Sequence, residues 1–165
     1  MDRRIEATED GGIFIELPRE ERELLRSLPD QLRPVVTGEA EVPGARSRLF
    51  PQPYGDDQLD AEYVEMTGAS LEEEHVAALD AFAESLDGGE LRRRSWRAVL
   101  DEDAALAWLS ATNDARLVLA SAVGIRHESD WEVAPSDPAT AALHYLGWVQ
   151  EALLAALSGR AQREG

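Results

Sequence analysis

Cysteine is absent from these 165 residues. That excludes disulfides, thiol nucleophiles, zinc–thiolate sites and a thiol redox switch within the chain. Long apolar runs are missing too: no window approaches the roughly 20 residues a bilayer-spanning helix needs. The opening Met1-Asp2-Arg3-Arg4-Ile5-Glu6 lacks the apolar stretch of a secretory signal, so a cytoplasmic location is expected and no membrane partner. Positive charge is scarce, with 16 Lys and Arg against 33 Asp and Glu, a net charge of -17. Non-specific DNA binding draws its free energy from neutralising phosphates, so direct DNA binding is not expected. A partner with a basic surface is attracted instead, faster at low salt. Signatures of chemistry are equally sparse. There is no Gly-x-Ser-x-Gly elbow, and Gly11-Gly12 and Gly88-Gly89 lack the spacing of phosphate-cradling loops. No catalytic residue, metal or cofactor is assigned.

What is present is enough apolar material for a core. Hydrophobic residues make up 44% of the chain and are spread along it, as in one ordered domain spanning residues 1–165. Ile5 and Ala7, then Ile13, Ile15 and Leu17 beyond Gly11-Gly12, alternate as in a β-hairpin over 3–17. Pro18 suits a first helical position, and Leu24, Leu25, Leu28, Leu32, Val35 and Val36 follow at helical spacing, with Pro29 and Pro34 expected to divide or kink the segment. Gly38 to Asp57 reads as one long ordered loop, and Leu59, Tyr63 and Met66 as a short helix. Ser70 and Glu73 form a capping box for a helix carrying Val76, Leu79, Phe82 and Leu86, with Asp87-Gly88-Gly89 as its stop. Trp96, Ala98 and Leu100 alternate as in a strand, Asp101 is an N-cap for a helix ending at Gly124, and Asp137-Pro138 opens the last helix. The prediction is an α+β, mainly α fold: a helical bundle with a short N-terminal β-hairpin, a helical body over 18–158 and a frayed tail over 159–165.

Each polar constellation has a plain structural role that competes with its chemical one. Glu72-x-x-His75 supplies half of a carboxylate-bridged metal site without its other half, so an acidic helix start beside the helix dipole is the better reading. Asp56, Asp57, Asp60 and Glu62 lack the spacing of a calcium loop. Arg92-Arg93-Arg94 with Trp96 and Arg97 is the best local candidate for nucleic acid, though pairing with acidic helices is favoured. Asn113 and Arg116 share a side with Leu109, Leu117 and Ala120, so both are expected to point inward and tie the 48–57 loop to the helix or shape a recognition surface. Trp108, Trp131 and Trp148 are candidate interface anchors, with a homodimer contact left open, and Trp148 reads more simply as core.

Three segments carry a resemblance: Arg48-Leu49-Phe50-Pro51 with Tyr54 and Asp56-Asp57, then Asn113-Asp114-Ala115-Arg116-Leu117-Val118-Leu119, then Tyr145-Leu146-Gly147-Trp148-Val149-Gln150-Glu151. Their order and spacing resemble a family of small actinobacterial proteins, formerly a domain of unknown function, named after the oxidative-stress regulator AosR. The resemblance implies a transcriptional or stress-response regulator acting through protein contact, with a sigma factor or other transcription component as partner. Together with the residue reading it marks Arg48, Phe50, Tyr54, Asp57, Asn113, Arg116 and Trp148 as partner-binding or structural ties. The chain departs from the family's redox picture in having no cysteine, and in placing Ala120 where glycine is usual. Two alternatives stay open: a small metal-dependent enzyme using the Asp56–Glu62 cluster with a histidine, and an adaptor in Clp-dependent proteolysis, which the family's gene neighbourhood beside ClpS suggests.

Overall fold

The computed structural model describes residues 3–50, 69–124 and 138–164. β1 (Arg4–Ala7) and β2 (Ile13–Pro18) form the expected hairpin, with Arg4 opposite Glu16 and Ala7 opposite Ile13. Alternation has its usual consequence: Ile13, Ile15 and Leu17 are fully buried and the residues between them are not. The hairpin is half of a larger sheet. β3 (Glu90–Leu91) and β4 (Ser95–Leu100) complete an antiparallel order β1-β2-β4-β3, which sets Trp96 opposite Leu17 and Leu100 opposite Ile13. The alternating stretch around Trp96 is therefore a central strand, although the chain reaches it only after several helices.

Helix α1 (Arg19–Thr37) runs unbroken through Pro29 and Pro34, against the expectation that they divide it. Leu25, Leu28, Leu32, Val35 and Val36 are all buried on one stripe. Burying five such side chains, at about 1.5–3 kcal/mol each, outweighs the roughly 3 kcal/mol each proline costs a helix interior. Gly38 ends the helix in the left-handed region, φ +85°. The last carbonyls are then taken by Arg46, whose Nη1 donates to Val35 at 3.2 Å and Val36 at 2.6 Å. Arg46 belongs to α2 (Ala45–Leu49), a short helix inside the segment read as loop. Ala45 and Leu49, one turn apart and both buried, give it an apolar face.

α3 (Ala69–Asp87) stops at the expected glycines. Gly89 has φ +74°, and a Cβ there would lie 2.5 Å from the Arg97 carbonyl oxygen, so only glycine fits. The C-terminal end of α3 is satisfied from α1: buried Arg22 donates through Nε and Nη2 to the Leu86 carbonyl at 2.9 and 2.7 Å. α4 (Glu102–Ala122) starts at Asp101, which accepts the Ala104 N–H at 2.8 Å as predicted. α5 (Pro138–Glu164) closes the bundle, and α4 lies between α3 and α5 with α2 and the sheet also against it. The architecture is α+β and mainly helical. Its core centres on Trp96 and Trp108, stacked 6.2 Å apart, with Phe82 edge-on to Trp108 at 5.0 Å. Among the described residues no helix is long and apolar enough to cross a membrane. The helix expected around Leu59–Met66 and the loop bearing Trp131 lie outside those residues.

Candidate functional site

A helix packed on several sides must bury whatever its sequence supplies, and α4 supplies an acid. Asp114 is 1% exposed, on the stripe with buried Ala111, Ala115 and Val118. Its Oδ2 accepts a hydrogen bond from His75 Nδ1 of α3 at 2.7 Å, while Oδ1 is buried with no hydrogen-bond partner. A carboxylate so placed costs several kcal/mol without a cation. The hydrogen bond to Asp114 accordingly raises the His75 pKa above the ordinary imidazole value; burial opposes it, and the charges of Asp114 and Glu74 reinforce it. Phe50 meets the imidazole edge-on at 5.1 Å, and the Arg46 guanidinium lies over the other ring partner, Phe50, at 5.1 Å. Arg46 also approaches Glu72 at 3.9 Å. Residues from α2, α3 and α4 thus converge on an imidazole held by a buried carboxylate, a group able to take and give a proton near neutral pH.

On the other side of α4, half-buried Arg116 donates Nη1 to Gln150 Oε1 of α5 at 2.7 Å. A Cβ on Gly147 would lie 3.6 Å from the Arg116 guanidinium carbon, an ordinary van der Waals distance, so the planar group packs closely over α5 at that position. One turn away, Trp148 and Tyr145 lie beneath Arg3, whose guanidinium is 5.5 and 5.2 Å from the two rings and whose Nε donates to Glu21 at 2.6 Å. Burial, and next the Glu21 carboxylate, raise the Tyr145 pKa and keep its phenol neutral.

The anticipated residues therefore fall into separate places. Phe50 joins the His75–Asp114 pair, Arg116 joins the α4–α5 seam, and Trp148 is half-buried beside it. Arg48 is half-buried on α2. Tyr54, Asp57 and the Asp56–Glu62 cluster lie outside the described residues. Asn113 is a correction: it is exposed, not inward, because it falls on the solvent stripe with Glu102 and Leu106. Trp108 is fully buried, so it cannot anchor a partner; its Nε1 donates to Ser85 Oγ at 2.7 Å. Trp96 is also fully buried, leaving the arginine stretch beside it without a stacking surface for a base. Arg92 and Arg97 pair with Glu90 and Glu16 of the sheet, not with acidic helices.

The pair that sequence reasoning passed over is His75–Asp114. Asp114 stands inside the second matching segment, and an acid between Ala111 and Val118 on an apolar stripe was the available signal. Among the described residues no three metal-ligating side chains come together.

Residues 2–157 match the family described as Domain of unknown function (DUF2017). The chain belongs to that family. No curated protein and no solved structure matches it. In this DUF2017 chain the three segments that carried the resemblance meet in space: Phe50 packs on His75, His75 holds Asp114, and Arg116, two residues on, holds Gln150.

Proposed function

We propose that the chain is a transcriptional or stress-response regulator that acts by contacting another protein, as its resemblance to AosR-type regulators implies, with a sigma factor or other transcription component as the partner. The observation that supports this reading is the charge: 33 acids against 16 basic residues, with Glu20, Glu73 and Glu84 among the carboxylates exposed on helices and free of cationic partners. Such a surface attracts a basic element and speeds its docking at low ionic strength. The partner is sought in the cytoplasm. Because the 165 residues contain no thiol, any response to oxidation is sensed by another component. Titration calorimetry of the purified chain against purified sigma factors and core RNA polymerase tests the reading. Binding of one of them, weakened by added salt, is the expected result; heat from none of them at low salt overturns it, and binding of ClpS in their place reassigns the chain to proteolysis.

A second reading, a small enzyme, draws support from His75 and Asp114, since a carboxylate-oriented imidazole is a common proton-transfer device. Protein purified without tag or chelator and assayed for bound metal separates the metal-dependent form of this reading from the first: stoichiometric metal favours the enzyme.

A further inference from the structure

Arginine supplies every basic residue of the chain; there is no lysine. With twice as many acids available, most arginines described at side-chain level find a carboxylate, a carbonyl or an amide. Arg26 pairs with Asp87, Arg33 with Asp80, Arg97 with Glu16, while Arg22 and Arg46 cap helix ends. Among those described residues, Arg19, Arg93 and Arg94 form no ion pair and donate no side-chain hydrogen bond, and all three are exposed. They are also neighbours. The Arg19 backbone N–H donates to the Arg94 carbonyl at 3.3 Å, which brings the first residue of α1 against the turn between β3 and β4. That turn opens on a groove lined by Arg92, Arg93, Arg94 and Arg97 together with Glu16 and Glu90, whose carboxylates are already paired with Arg97 and Arg92.

We propose that Arg19, Arg93 and Arg94 form a docking site for a short acidic segment of a partner protein. In a chain of net charge -17, leaving three adjacent guanidinium groups unmatched concentrates positive potential at one place on a negative body. A guanidinium binds a carboxylate through two parallel N–H donors, a geometry that lysine does not offer. The ligand must be short. Repulsion from the rest of the surface is screened beyond about 8 Å at physiological ionic strength, so a few carboxylates on the turn feel mainly the arginines. A long polyanion such as DNA extends over the acidic helices, and buried Trp96 gives its bases nothing to stack on. The site depends on Arg19, Arg93 and Arg94 and on none of the carboxylates invoked above, so either reading can fail without the other.

Fluorescence anisotropy of a labelled hexaglutamate peptide tests the site, with an oligothymidylate of equal charge in parallel. The peptide is expected to bind the intact chain at physiological ionic strength, where the rest of the surface is screened. The R93Q/R94Q double variant should weaken it about tenfold and Arg19→Gln by a smaller factor, while Arg26→Gln, which removes a paired arginine, leaves it unchanged. All these positions are exposed, and far-UV circular dichroism verifies that each variant is folded. No binding of hexaglutamate, equal binding by R93Q/R94Q, or tighter binding of the oligonucleotide than of the peptide overturns the proposal.

Discussion

The two halves of α4 solve burial in opposite ways. In the N-terminal half Ala105, Trp108 and Ala111 lie against the sheet and α3, and the polar atom Trp108 brings with it, Nε1, is satisfied by Ser85. In the C-terminal half the helix buries the Asp114 carboxylate and half-buries the Arg116 guanidinium, and each reaches across a different seam for its partner. Apolar contact is non-directional and indifferent to pH. The polar ties are directional and selective: a shift of α4 along its axis leaves much of the apolar area buried but separates His75 from Asp114 and Arg116 from Gln150. The first half contributes apolar burial around Trp108, and the second adds directional ties to α3 and α5.

Breaking the comparison begins with Trp108→Ala. It removes the largest side chain of the N-terminal half and should cost about 4 kcal/mol, seen as a lower urea midpoint at every pH. His75→Ala should cost about 3 kcal/mol by stranding the Asp114 charge. Its signature is pH dependence. The folded pKa of His75 is raised, so its contribution is fully present below the unfolded value of about 6.5 and is lost as pH rises through the folded value. The intact protein should therefore lose stability across that window, and His75→Ala should not; parallel slopes for the two would refute the ion pair. Arg116→Ala removes a charge-assisted hydrogen bond to Gln150 and should cost about 1.5–3 kcal/mol in thermal unfolding. At the small end, Asp101→Ala should cost about 1 kcal/mol by uncapping α4, whereas Asn113→Ala, exposed about three turns further on, should stay within about 0.5 kcal/mol. An Asn113 effect as large as that of Arg116 would reinstate the inward orientation that the structure rejects.

Legibility followed the kind of signal. The hairpin, the strand at Trp96, the Asp101 cap and the Gly88-Gly89 stop were readable because each depends on neighbours in the chain: a period of two, a side chain reaching three residues ahead, a backbone angle that glycine adopts. The continuity of α1 was not, since whether a helix survives Pro29 and Pro34 depends on how much apolar surface the rest of the fold covers. α2 was hidden within a glycine- and proline-rich stretch, its two apolar contacts too few to show a period. The candidate site was read least well. Helical phasing by apolar neighbours works where one face meets a core, but α4 is buried on several sides, so phasing from Leu109 and Leu117 selects Asn113 although the buried group is Asp114, one residue on.

By itself the sequence determined the charge of the molecule, the absence of thiol chemistry from these residues, and most of the helix and strand ends, because composition and local backbone preference act over a few residues. Only the tertiary structure decided that β4 lies beside β2, that His75 faces Asp114 across 39 positions of chain, and that Arg19 joins Arg93 and Arg94. Contacts between distant residues are selected by the packing of the whole core, and no local pattern encodes which partners that packing brings together.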